Sequence, residues 1–162
     1  MNRLPKRHFW EWFRRHNHEY LTLRNKSKKE ADYWLNELNT HLRAYYKFFG
    51  FSIEWEGQVG ILTITVSGKA IHFKKVDDLV AKAPELPGWK VLALEIPRPI
   101  DFLLSKQIYD IGIDPREFSF SVVNENPVSL TVYHPLCTQE NKHLLHELAN
   151  SAVYNLLGER SF

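Results

Sequence analysis

Apolar side chains recur with a helical period over the first part of the chain. From Lys6 to about Leu23, a rotation of about 100° per residue places a largely aromatic stripe on one side of a helix. The stripe consists of Phe9, Trp12, Phe13, His16, Tyr20 and Leu23. Charged residues occupy the opposite side, which is typical of a helix packed against a core.

A second helix follows a local start signal. Ser27 and Glu30 have the spacing of a capping box, in which each side chain accepts a backbone N–H at the start of a helix. Apolar residues then recur with a helical period at Ala31, Leu35, Leu38, Leu42 and Phe49. Gly50 stands where a left-handed C-terminal cap is favoured, so the pattern predicts a helix that ends there.

After Gly50 the apolar period changes from helical to alternating. The segments 51–55 and 62–66, joined by a glycine-bounded turn, predict a β-hairpin. Further strands are predicted at 89–96, 107–111, 118–123 and 130–134, and further helices at 76–83 and 138–158. The polar side of the alternating strands consists of Thr63, Thr65, Ser67, Ser119, Ser121, Thr131 and Tyr133.

This order of elements predicts an α+β fold in a single domain over residues 1–162. Strands joined by turns favour a largely antiparallel sheet of about five to six strands. Two N-terminal helices and one C-terminal helix would pack on one face of that sheet, because one side of each strand is polar. A second copy of the chain, in a homodimer, is our hypothesis for what covers the polar side.

Composition is that of a globular protein from a reducing compartment. The 162 residues are 44% hydrophobic and 25% charged, which suits one domain with its own core. Cys137 is the single cysteine, so an intramolecular disulfide and a cysteine-based zinc site within one chain are excluded. The sequence shows no signal-peptide pattern and no apolar run of membrane-spanning length, so we expect a cytoplasmic protein with no membrane partner.

Positive charge is concentrated near the N-terminus. Residues 1–29 carry a net charge of +7, whereas the whole chain carries +2. The basic outer face of the first helix consists of Arg7, Arg14, Arg15 and His18. This face predicts either an anionic partner, with nucleic acid less favoured, or a solvated surface that meets acidic groups of the same molecule. A membrane-surface role is disfavoured, because the apolar side of the helix is needed for the core.

Three local patterns carry a family resemblance. A strand ends in Ser67-Gly68, a loop has the form Ala-Pro-x-x-x-Gly-Trp over residues 83–89, and the last helix ends in Leu-Gly-Glu at 157–159. Residues 30–162 thereby resemble a group of small uncharacterised bacterial proteins. The resemblance implies a bacterial source and a shared fold. The group has no assigned activity, so the resemblance implies no catalytic residues.

Two sets of residues near the C-terminal helix have types that could carry chemistry. His143 and His146 are three residues apart on a helix, with Glu147 beside them, and could hold a metal ion. Their order is neither that of the zincins nor its inverted form, and no third ligand is identifiable. His134 and Cys137 lie just before a helix start, where a thiol is acidified and an imidazole could deprotonate it. A partly buried histidine and a packed cysteine are the simpler interpretations.

No complete catalytic constellation emerges from these residues. We therefore expect a non-catalytic binding or protein-interaction domain for a protein or small ligand, with no cofactor and no metal. Two alternatives stay open. One is a hydrolase that uses the His and Cys residues near the C-terminal helix, and the other is a binder of nucleic acid or another anion through the basic N-terminal helix.

Overall fold

The computed structural model describes residues 8–105, 114–125 and 128–161. The chain divides into two compact units, residues 1–95 and 96–162, and each is described by itself. The single domain predicted from the sequence stays a prediction.

The described part of the N-terminal unit combines helices with a three-stranded sheet. Its elements are α1 (Phe9–Leu21), α2 (Lys28–Tyr45), β1 (Gly50–Glu56), β2 (Val59–Thr65), α3 (Phe73–Val80) and β3 (Trp89–Ala93). The strand order is β1-β2-β3, with β1 antiparallel and β3 parallel to β2. The predicted hairpin is confirmed, since Ile53 pairs with Leu62 across β1 and β2.

The aromatic stripe of α1 forms one side of the core. Phe13 and Tyr20 are fully buried. The ring of Phe13 lies 5.6 Å from that of Tyr20 and 5.2 Å from that of Trp89, measured between centroids. The Tyr20 hydroxyl donates a hydrogen bond of 2.8 Å to the carbonyl of Trp34, and burial raises the pKa of the phenol. The core is completed by residues from α2, β2 and α3, among them Leu38, Leu42, Leu62, Ile64, Val76 and Leu79.

The predicted start of α2 is confirmed and its predicted end is wrong. The Ser27 hydroxyl accepts the Glu30 N–H at 3.3 Å, and the Glu30 carboxylate accepts the Ser27 N–H at 3.1 Å. The helix ends at Tyr45, and Gly50 is instead the first residue of β1, paired with Thr65. Strand pairing with β2 therefore overrides the local preference for a glycine cap.

The predicted sheet of five to six strands is also wrong, although the broad α+β class is confirmed. The described strands form one sheet of three and another of two. The helix α3 carries the chain from β2 to β3, and a crossover of this kind makes neighbouring strands parallel. Five consecutive residues of β2, 60–64, are buried, so both faces of this strand are covered. Thr63, which was expected on an exposed polar side, is among them.

Gly60 and Trp89 make a contact that leaves no room for a side chain. A Cβ atom at Gly60 would lie 2.7–2.9 Å from three ring carbons of Trp89. The Gly60 N–H donates a hydrogen bond of 2.9 Å to the carbonyl of Gly88, which holds the backbone in place. Gly88 has a φ of +79°, a conformation that favours glycine.

We expect Gly60→Ala to lower the free energy of unfolding by about 1–3 kcal/mol, because overpacking strains the ring or the backbone. The measurement is a urea titration followed by tryptophan fluorescence. This signal reports on the N-terminal unit alone, because the chain's tryptophans all lie within residues 10–89. Gln58→Ala, at an exposed turn position, is the control. An unfolding free energy of Gly60→Ala equal to that of Gln58→Ala would contradict the contact.

The described part of the C-terminal unit packs a two-stranded antiparallel ribbon with helices. Its elements are α4 (Ile100–Ser105), β4 (Ser119–Glu125), β5 (Val128–Tyr133) and α5 (Lys142–Leu157). In the ribbon Phe120 pairs with Val132 and Val122 with Leu130. The buried core of the unit consists of Phe118 from the segment before β4 and Leu145, Leu148 and Ala149 from α5.

The boundaries of this unit differ from the predicted ones in three places. The helix α4 was not predicted, because its six residues are too few to show a period. The predicted strand at 107–111 lies outside the described residues. The helix α5 begins at Lys142 rather than Thr138, since Thr138 and Asn141 first exchange hydrogen bonds in a turn. Its predicted end is confirmed, with Gly158 at a φ of +73°.

Candidate binding groove

One face of the β4–β5 ribbon is apolar and faces α5. The alternation of side chains along the paired strands places Phe120, Val122, Leu130 and Val132 on this face. Val132 is partly buried against the core of the unit. Of the residues predicted on the opposite, polar face, Ser119, Ser121 and Tyr133 are exposed, whereas Thr131 is partly buried.

The helix does not cover this apolar face completely. Val122 is 62% exposed, and Leu130 and Leu157 are 41% and 45% exposed. Between the ribbon and α5 lies a groove of about 780 Å³. Its apolar walls consist of Phe118, Leu130, Val132, Leu145, Val153 and Leu157. Exposed apolar surface that lines a concavity is a common mark of a ligand site.

The polar side chains that α5 contributes to the groove lie in the first half of the helix. They are Lys142, His146 and Asn150, with the apolar Leu145 among them, and they are followed by Val153 and Leu157 on the helix and by Ser161 after it. The rise of a helix places Lys142 and Leu157 about 22 Å apart. The part of the groove near Lys142 is called its polar end, and the part near Leu157 is called its apolar end.

His134 lies at the polar end of the groove, and one of its two ring nitrogens is hydrogen-bonded. It lines the groove, and its side chain is only 2% exposed. Its Nδ1 accepts the backbone N–H of Leu136 at 3.2 Å, which assigns the proton of the neutral ring to Nε2. That nitrogen lies 3.5 Å from a carboxylate oxygen of Glu117 but forms no hydrogen bond. His134 therefore presents a buried N–H donor with no hydrogen-bond acceptor.

The groove brings Cys137 together with His134, but the geometry does not activate the thiol. Cys137 is exposed and lines the same groove. Its backbone N–H donates to the carbonyl of His134 at 3.1 Å. A base needs a free lone pair, and the only one on the neutral imidazole is already engaged by the N–H of Leu136. The pair therefore does not form the nucleophile and base of a hydrolase in this arrangement.

The predicted metal set is not assembled either. His146 lines the groove and lies 3.3 Å from the amide nitrogen of Asn150, whereas His143 and Glu147 are exposed on α5 and are not part of the groove lining. No cluster of three or more His, Cys, Asp or Glu side chains occurs in the described residues.

The basic face predicted on the first helix is solvated. Arg14 and Arg15 are exposed, whereas Arg7 lies outside the described residues. His18 lies 3.0 Å from a carboxylate oxygen of Glu19. Lys26 donates to the other oxygen of Glu19, and this hydrogen bond holds the pKa of the carboxyl below its usual range. An anionic partner for this face stays a prediction.

A second concavity lies in the N-terminal unit, between α1 and α3. It has a volume of about 750 Å³, and its lining includes Phe9, Trp10, Tyr46 and Leu79. Its charged lining residues are of both signs: Glu11, Lys75, Asp78 and Lys82. This concavity therefore lacks the single sign of charge found among the lining residues of the groove along α5.

Comparison of the chain with models of protein families, with curated proteins and with solved structures finds no match. The resemblance to small bacterial proteins therefore stays a prediction. Within the described part of the chain, no helix has both the length and the apolar character needed to cross a membrane.

Sequence reasoning named His134, Cys137 and His146 but missed most of the groove. It missed Lys142 and Asn150, which precede and follow His146 by four residues on α5. A spacing of four residues places side chains on one helix face, so this row was visible in the sequence. The apolar wall could not be predicted from the sequence, because the pattern around Leu157 does not distinguish a groove-lining residue from a core residue.

Proposed function

We propose that the chain is a non-catalytic binding protein and that the groove along α5 holds a small molecule with an extended apolar part. The observation that carries this proposal is the groove between the ribbon and α5, whose apolar walls include the exposed side chains of Leu130 and Leu157 and whose polar helix residues lie toward Lys142. The groove volume of about 780 Å³ lies within the range of small-molecule sites.

Two further observations favour binding over catalysis. The neutral imidazole of His134 offers no free lone pair toward Cys137, and His143 and Glu147 lie outside the groove. A small-molecule ligand matches the concave shape of the groove, whose lining includes the exposed Leu130 and Leu157.

Cys137 supplies a direct test, because it is the chain's single cysteine and lies at the polar end of the groove. We expect saturating decanol to slow alkylation of Cys137 by iodoacetamide by about fivefold, since a bound ligand blocks access to the thiol. The rate is measured by mass spectrometry of the intact protein. Alkylation of free glutathione, with and without decanol, is the control for the reagent.

An unchanged alkylation rate at decanol concentrations up to its solubility limit would contradict the proposed function. A slower rate that persists after Leu157→Gln would place the decanol elsewhere on the molecule and would contradict the assignment of the groove.

A further inference from the structure

We infer that the ligand of this groove carries an anionic head group, of the class of a single-chain aliphatic carboxylate. Its head would lie at the Lys142 end of the groove and its apolar chain would run toward Leu157. This inference rests on the proposed function. It adds the sign of the charge on the ligand's head group and the direction in which the ligand lies along the groove.

The lining charges are of one sign. The groove is lined by the cation of Lys142 and the imidazoles of His134 and His146, and by no Asp or Glu side chain among the described residues. The carboxylate of Glu117 faces Nε2 of His134 at 3.5 Å and is not part of the lining. A cation without a lining carboxylate favours an anionic group in the ligand.

Lys142 retains donors for such a group. Its ammonium donates one hydrogen bond of 3.0 Å, to the side-chain oxygen of Gln139. An ammonium has three N–H donors, so two are left for a ligand. Lys142 is also the first residue of α5, a helix of 16 residues, and the positive end of the helix dipole lies there.

His134 adds a buried imidazole to the polar end of the groove. Its side chain is 98% buried and lines the groove, and its Nε2 forms no hydrogen bond. That nitrogen faces the carboxylate of Glu117 at 3.5 Å, and the negative charge there lowers the cost of the buried N–H. The assignment of an anionic head group therefore depends on Lys142.

The chain path places His134 and Lys142 at the same turn. After β5 a short turn leads directly into α5, and the Asn141 side chain bridges the turn by a 2.8 Å hydrogen bond to the carbonyl of Leu136. His134 and Lys142 therefore lie at the turn, whereas Leu157 lies at the far end of the helix. A ligand with one charged end and one apolar end matches this separation.

The test compares decanoate, decanol and decylamine, which share one chain and differ in the head group. Each is titrated at pH 7.5 against wild-type protein and against Lys142→Met by isothermal titration calorimetry. We expect wild-type protein to bind decanoate about tenfold more tightly than decylamine, as expected for one charge-assisted hydrogen bond. We expect Lys142→Met to lower the affinity for decanoate by about tenfold and to change the affinity for decanol by no more than about twofold. His143→Gln, next to Lys142 but outside the groove lining, should leave all three affinities unchanged.

The outcomes separate the two proposals. If none of the three compounds binds, the proposed function fails and the inference falls with it. If decanol or decylamine binds wild-type protein as tightly as decanoate does, the proposed function stands and the anionic head is wrong. If decanoate is preferred but Lys142→Met does not weaken it, the assignment of the head to the Lys142 end is overturned.

Discussion

Phe13→Ala is expected to lower the free energy of unfolding of the N-terminal unit by about 3–5 kcal/mol. Phe13 is fully buried, and its ring lies within 6.2 Å of four other aromatic rings, measured between centroids. These rings come from both α1 and the start of β3, so a cavity at Phe13 would separate the helix from the sheet. Such a loss is a large part of the stability of an ordinary domain.

The measurement is a urea titration followed by tryptophan fluorescence, which reports on this unit alone. Phe48→Ala is the matched control, because the same side chain there is 41% exposed and its removal should cost less than about 1 kcal/mol. Phe13→Leu, with an expected loss of about 1–2 kcal/mol, keeps the test informative if Phe13→Ala does not fold. A loss for Phe13→Ala no larger than that for Phe48→Ala would contradict the core described for α1.

The sequence predicted the elements whose signals are local. The stripe of α1, the capping box of α2 and the hairpin of β1 and β2 depend on residues within a few positions of one another, and all three are confirmed. The Gly50 cap is local as well, but it was wrong because β1 offers that residue a strand partner in Thr65. Local propensity predicts a structure only where no tertiary partner competes for the same backbone groups.

The arrangement of strands could not be predicted in the same way. The sequence of β3, Trp-Lys-Val-Leu-Ala, does not alternate and indicates no strand direction, whereas the crossover through α3 makes the strand parallel to β2. Thr63 was predicted to be exposed, because the alternating polar residues of a strand were expected to lie on a solvent-exposed face. It is buried because both faces of β2 are covered, which is a property of the tertiary structure and not of the strand sequence.

The candidate site was predicted in part. The sequence named His134, Cys137 and His146 by residue type, as ligands or catalytic groups. The structure places these three in one groove but gives them no catalytic geometry. The proposed site depends on the apolar wall opposite α5, and burial against a partner element is not encoded in any single stretch of the chain.

The central claim is that the apolar end of the groove binds the body of a ligand, and Leu157 is the residue on which this claim depends most. Leu157 lines the groove, whereas Leu144 on the same helix is 43% exposed and does not. The two positions therefore allow the same substitution inside and outside the site. Glutamine is a good helix former and carries no charge, so it changes neither the helix propensity greatly nor the interaction with the helix dipole.

The decisive measurement is a fluorescence titration of wild-type protein, Leu157→Gln and Leu144→Gln with the neutral apolar dye N-phenyl-1-naphthylamine. We expect wild-type protein and Leu144→Gln to bind the dye with equal affinity. We expect Leu157→Gln to bind it about tenfold more weakly, because a polar amide replaces apolar contact with the ligand. Equal affinities for all three proteins, or an equal loss in both variants, would contradict a ligand site in the groove along α5.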